Sequence, residues 1–149
     1  MAALFLDTSA LAKLYIQEEG TDRMLEMTHP DTENQLIIIS LARVELHAAV
    51  RRRMHSGDVS EKDTQGILEQ FERHLENIFE VLPLNDRVLQ AAVALLRRHR
   101  LRVYDAIQLA GAVVAKETLA SEGFSFVCAD VTLLSSAEDE RIAIINPSA

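Results

Sequence analysis

Leu36-Ile37-Ile38-Ile39 is apolar at every position, and three of its four residues are β-branched. A strand with one face in water alternates apolar and polar residues. An uninterrupted apolar strand belongs in a sheet covered on both faces, which in practice means a parallel one. Other short runs of strand length lie at Leu4 to Leu6, Phe79 to Leu82 (stopped by Pro83), Phe124 to Cys128 and Ile142 to Ile145. Helical patterns separate them. Helices are expected over Ser9 to Ile16, Gly20 to Thr28, and Leu41 to His55 with Ser40 as its N-cap. Further helices are expected from a Ser60/Asp63 capping box through Ile67, Leu68, Phe71, Leu75 and Ile78, and then over Asp86 to Arg98, Tyr104 to Leu119 and Val131 to Ala137. Strands separated by helices predict an α/β fold: a central, mainly parallel sheet of about five strands flanked by α-helices, in one domain over residues 1–149. The two helices between Leu41 and Ile78 are expected to project as a hairpin.

Composition narrows the setting. No apolar run approaches the ~20 residues that span a bilayer. The N-terminal run ends at Asp7 with no basic flank, unlike a signal peptide. Cys128 is the single cysteine, so no internal disulfide is possible and a cytoplasmic location is expected. The formal charge of −8 argues against a protein that coats nucleic acid through a general basic face. Positive charge is nevertheless clustered, at Arg51-Arg52-Arg53 and between Arg97 and Arg102.

Four acids sit in apolar surroundings. Asp7 closes the run Ala2 to Leu6, and Asp130 follows Phe126-Val127-Cys128-Ala129. Glu45 interrupts an apolar face expected from Leu41, Val44, Ala48 and Ala49, and Asp105 lies within Val103-Tyr104-Asp105-Ala106-Ile107. A buried unpaired carboxylate is costly unless it is paired, protonated or bound to a metal. Ligands of parallel sheets bind beyond the carboxyl ends of the strands. Asp7 and Asp130 emerge there, and Glu45 lies one turn into the helix after the second strand, so these three are expected on one rim. Asp105 is placed there with less support. Oxygen-only donors suit Mg²⁺ or Mn²⁺, and the scattered histidines 29, 47, 55, 74 and 99 offer no zinc spacing. Without metal, such acids repel one another and some should have raised pKa values. Acidic clusters of this kind suit phosphodiester hydrolysis.

The wording around the acids is more specific. Leu6-Asp7-Thr8-Ser9-Ala10-Leu11 resembles the opening motif of PIN-domain ribonucleases. Ser40-Leu41-Ala42-Arg43-Val44-Glu45 is similar to their second motif and Tyr104-Asp105-Ala106-Ile107-Gln108-Leu109-Ala110 to their third. Phe126-Val127-Cys128-Ala129-Asp130, followed by Leu133-Leu134, is similar to their fourth, and Ile144-Ile145-Asn146-Pro147 to their usual ending. Length and wording most resemble VapC toxins of toxin–antitoxin pairs. That resemblance implies an endoribonuclease dependent on Mg²⁺ (or Mn²⁺), usually a homodimer, restrained by a cognate antitoxin. It carries Asp7, Glu45, Asp105 and Asp130 over as catalytic, metal-site acids, with Ser9 and Thr8 as supporting hydroxyls. Cys128 departs from the pattern, since many relatives have a small hydroxyl residue there. Arg98, Arg100 and Arg102 are candidate RNA contacts because of their nearness to Asp105.

Rival readings fit less well. A haloacid-dehalogenase-type phosphatase wants an aspartate two residues after the first, and position 9 is serine. A receiver domain wants acidic neighbours beside its first strand and a lysine near the later strand end. The rival from another class is a non-catalytic PIN-like module that binds RNA or protein.

Overall fold

The computed structural model describes residues 1–120 and 123–149. Among these residues, five strands are interspersed with seven α-helices. They run β1 (Ala3–Leu6), α1 (Thr8–Ala12), α2 (Thr21–Thr28), β2 (Gln35–Ile39), α3 (Leu41–His55), α4 (Glu61–Asn77), β3 (Glu80–Leu82), α5 (Asp86–Arg98), α6 (Val103–Thr118), β4 (Ser125–Val127), α7 (Val131–Asp139) and β5 (Ile144–Ile145). A 3₁₀ turn, Pro30–Thr32, forms the expected break after α2. The sheet order is β3-β2-β1-β4-β5 and every pairing is parallel. The expected α/β architecture is therefore present, with β1 central. β1 and the four apolar residues of β2 are buried throughout, because helices cover both faces.

The order turns back at β1. From β1 the chain proceeds to β2 on one side and later to β4 on the other. Such a reversal opens a crevice beyond the carboxyl ends of adjacent strands whose connections leave in opposite directions, here β1 and β4. α6 lies over this centre and buries nine of its sixteen residues. A Cβ added at Gly111 would sit 2.9 Å from Phe5 Cζ and 3.1 Å from Ile39 Cδ1, so the missing side chain lets α6 settle directly onto β1 and β2. Phe5 stacks on Phe126 across β1 and β4, with ring centroids 6.0 Å apart.

Several expectations need correction. α1 stops at Ala12 instead of Ile16. Beyond it the chain tightens into i→i+3 bonds, and Thr21 Oγ1 donates to the carbonyl of Lys13 at 2.8 Å. Ser40 does not cap α3. Its backbone is already helical, and its Oγ instead accepts from Leu84 N at 2.9 Å, tying the exit of β3 to the exit of β2. The apolar face assigned to α3 is also different. Ala42, Leu46 and Val50 are buried, while Val44 is 67% exposed and Ala48 is also exposed. The Ser60 cap holds, accepting from Asp63 N at 3.0 Å. Leu68 and Phe71 of α4 are buried and Leu75 packs against the core, and Met24 of α2 is fully buried.

Candidate active site

Asp7 leaves the sheet directly after β1, and its backbone N–H donates to the Val127 carbonyl at the end of β4 (3.1 Å). The strand ladder thus fixes where its carboxylate emerges. Asp7 itself caps α1. Its Oδ1 accepts from Ala10 N at 3.0 Å and from Ser9 Oγ at 2.7 Å. Ser9 Oγ in turn accepts from Ala129 N at 3.0 Å, so one hydroxyl joins the exits of β1 and β4. Burial pushes Asp7 up to about 6, against the lowering effect of hydrogen bonds from Ser9, Ala10 and Cys128, and the Glu45 charge adds to the rise.

Glu45 is held from two sides. Its Oε1 accepts from Thr8 Oγ1 at 2.9 Å and from Gln108 Nε2 at 2.8 Å. Gln108 Nε2 also reaches Thr8 Oγ1 at 3.0 Å. An ionised carboxylate only accepts, so the amide must turn its nitrogen toward Glu45. Gln108 Oε1 is then left buried with no hydrogen-bond partner among the described residues. Sequence reasoning quoted Gln108 but assigned it no part. The signal was available: Gln108 is a polar residue inside Ala106-Ile107-Gln108-Leu109-Ala110, the same anomaly that singled out the acids.

Asp105 sits half-buried in the first turn of α6. Burial raises its pKa most, the Asp130 charge raises it further, Arg102 opposes, and Glu45 adds a smaller rise. Asp130 is exposed and caps α7, its Oδ1 accepting from Thr132 N (2.9 Å) and Leu133 N (3.2 Å). All four acids therefore share one electrostatic field, through the links Asp7 to Glu45 and Asp105 to both Asp130 and Glu45. Cys128 stands among them with its Sγ 3.3 Å from Asp130 N, and burial followed by the Asp7 charge pushes the thiol up, keeping it protonated.

The three arginines separate. Arg98 places its fork on Glu140, with Nε and Nη2 at 3.0 and 2.9 Å, and His99 Nε2 lies 2.7 Å from the same carboxylate. That pairing holds Glu140 below the usual carboxylate range. Arg100 and Arg102 are exposed, and Arg102 is the one whose charge reaches Asp105.

Among the described residues, no three His, Cys, Asp or Glu side chains are arranged to enclose a metal ion. The donor set still fits a hard cation in kind, being all oxygen, mutually repelling and anchored on the buried Asp7. Mg²⁺ does not require a protein cage, since it keeps several waters and uses one or two carboxylates plus substrate phosphate. A cleft of about 640 Å³ lies between Tyr15 and the α3–α4 hairpin and contains none of the four acids.

The PIN domain family matches residues 4–144. Searching curated proteins gives no match. Among solved structures, the fold resembles FitAcB from Neisseria gonorrhoeae (15% identity, 97% of both chains covered, TM-score 0.68). It also resembles a toxin–antitoxin complex from Klebsiella pneumoniae (19% identity, 97% of both chains, TM-score 0.64). A third is VapBC2 from Rickettsia felis bound to a DNA fragment from their promoter (13% identity, 97% of this chain and 98% of that one, TM-score 0.66). With the match running over residues 4–144, from β1 into β5, this chain belongs to the PIN domain family.

Proposed function

We propose that the chain is an endoribonuclease dependent on Mg²⁺ or Mn²⁺ and the toxin of a toxin–antitoxin pair. The observation that carries the hydrolase reading is the shared field of Asp7, Glu45, Asp105 and Asp130 at the strand-order reversal, anchored by a buried aspartate raised to about 6. Repulsion among carboxylates is what a divalent cation relieves. Asp7 and Asp105 would hold it, with Glu45 and Asp130 as further ligands directly or through water. When bound, the ion supplies an acidified water and neutralises charge on a phosphate oxygen. Ser9 fixes the Asp7 carboxylate against the exit of β4, and Thr8 and Gln108 fix Glu45.

The antitoxin partner is supported by the neighbouring structures, one of which is itself a toxin–antitoxin complex. The homodimer is supported by α5. Leu89, Val93 and Leu96 form an exposed apolar stripe on it, beside the buried Val88, Ala92 and Leu95. No helix among the described residues is long and apolar enough to cross a membrane.

Purified protein incubated with structured RNA should cleave it in Mg²⁺ or Mn²⁺, stop in EDTA and recover when Mn²⁺ is restored. Cleavage that persists in EDTA overturns metal dependence. Binding without cleavage under any metal would instead identify a non-catalytic module.

Gln108→Leu separates support from stability. The substitution loses a charge-assisted bond of roughly 1.5–3 kcal/mol but also removes an orphaned acceptor costing about 1–3 kcal/mol, so the two nearly cancel. The expected result is a urea midpoint close to wild type with cleavage reduced about tenfold or more, as Glu45 is freed to rotate. Unchanged cleavage would reduce Gln108 to packing.

A further inference from the structure

We propose that Tyr104 is a stacking platform that holds one unpaired base of the RNA beside the phosphate that is cut. This inference rests on the ribonuclease reading. Tyr104 is an unusual residue in this protein. The chain has two tyrosines, five phenylalanines and no tryptophan. All five phenylalanines are buried and Tyr15 is partly buried, packed edge-on to Phe71 and bonded to His74. Tyr104 alone among the phenylalanine and tyrosine rings is exposed, at 61%.

Its place on α6 brings it to the acids. Tyr104 immediately precedes Asp105 and lies four residues before Gln108, and residues i and i+4 share a helix face. Gln108 bonds both Glu45 and Thr8, so this face of α6 runs from the inner carboxylate outward to Tyr104. Helical side chains lean toward the N-terminus, which carries the ring away from the core and toward solvent. Val103 and Val131, the neighbours of Asp105 and Asp130, are also exposed and add apolar surface near the same acids. Arg102, exposed and two residues before Tyr104, offers the positive charge that a phosphodiester chain needs.

Charge and ring chemistry together favour a nucleotide over a protein segment as occupant. An aromatic face beside a cation and next to phosphate chemistry is the combination that holds splayed-out bases. A base inside a duplex has no free face to offer. Stacking on an aromatic ring is tolerant of base identity, so this contact selects for unpaired structure more than for sequence.

The test uses Tyr104→Trp, which gives the protein its single tryptophan. A short fluorescein-free, single-stranded oligoribonucleotide of mixed sequence is added with Ca²⁺ in place of Mn²⁺, and the same RNA annealed to its complement serves as the comparison. Tryptophan fluorescence should be quenched by the single strand and not by the duplex, with cleavage of the single strand in Mn²⁺ retained. Tyr104→Phe should also cleave like wild type. Tyr104→Ala should raise KM by roughly 5- to 100-fold, the range set by one stacked base, with kcat nearly unchanged. If wild type cleaves the RNA while Tyr104→Ala does so with unchanged KM, or the duplex quenches as strongly as the single strand, the platform is refuted and the ribonuclease reading stands. Unchanged RNA kinetics together with lost binding of a co-expressed partner protein would likewise refute it, assigning the ring to a protein interface. If wild type cleaves no RNA under Mg²⁺ or Mn²⁺, the parent reading fails first.

Discussion

Asp7→Asn should make the metal-free protein more stable while abolishing its activity. The folded-state pKa of Asp7 is raised from 3.8 to about 6, mainly by burial. Because the folded value lies above the unfolded one, the fold favours the protonated acid. Stability conferred by that preference is complete below about pH 4 and is lost as pH rises through 6. At pH 7 the ionised carboxylate therefore costs the metal-free fold roughly 3 kcal/mol, at 1.36 kcal/mol per unit. Asparagine keeps an oxygen to accept from Ser9 and Ala10 and carries no charge. The metal-free variant should melt several degrees above wild type at pH 7, and the gap should close toward pH 4. Mg²⁺ should then raise the melting temperature of wild type and leave the variant unmoved. Cleavage should fall by at least about a hundredfold, since several kcal/mol of transition-state stabilisation is withdrawn. Thermal melts at two pH values with and without Mg²⁺, beside an RNA cleavage assay, decide the matter. A variant that melts below wild type in metal-free buffer at pH 7 would show that burial is not what raises Asp7.

Gly111→Val should have the largest effect of any single substitution on the seating of α6. Even a bare Cβ would lie 2.9 Å from Phe5 Cζ and 3.4 Å from Ile39 Cβ. Neither neighbour yields easily, because Phe5 is fully buried and stacked on Phe126, and Ile39 is fully buried in β2. Valine adds two methyls to that contact and gains little in helix propensity over glycine. The expected cost is roughly 3 kcal/mol, at the upper end for overpacking. Asp105 and Gln108 ride on the same helix, so the displacement should also reduce cleavage at temperatures where the variant remains folded. Urea denaturation gives the first quantity and cleavage below the melting transition gives the second. A urea midpoint equal to wild type would mean that the sheet surface under α6 is more compliant than its packing indicates.

What the sequence disclosed follows from the range of the interactions involved. The strands were legible because burial on both faces leaves a local mark, an unbroken apolar run such as Leu36 to Ile39. Asp7 and Asp130 were legible for the same reason, each being a charge at the end of such a run. Gln108 obeys that rule too, but an uncharged amide within an apolar stretch is a weaker mark than a carboxylate. Other features depended on distant partners. Ser40 looked like a cap, but Leu84 claims its hydroxyl from the far side of the α3–α4 hairpin. Arg98 looked available for RNA, but Glu140 at the C-terminal end of α7 engages it. On α3, alanine is equally at home inside and outside, so Ala42 and Ala48 could not reveal which face was buried. The Ser9 bridge joins residues 120 positions apart, and no local pattern encodes it.

The central position of β1 has a consequence for the protein's birth. Leu4 pairs with Ser125 and Leu6 with Val127, so β1 acquires its second neighbour only after residues 125–127 have been made. Long-range parallel pairing of this kind forms late. Until it forms, Asp7 lacks the Val127 carbonyl, Ser9 lacks Ala129, and the fourth acid has not joined the other three. A chain still being translated thus carries the Asp7–Ser9 segment without the hydrogen bonds that seat it against β4.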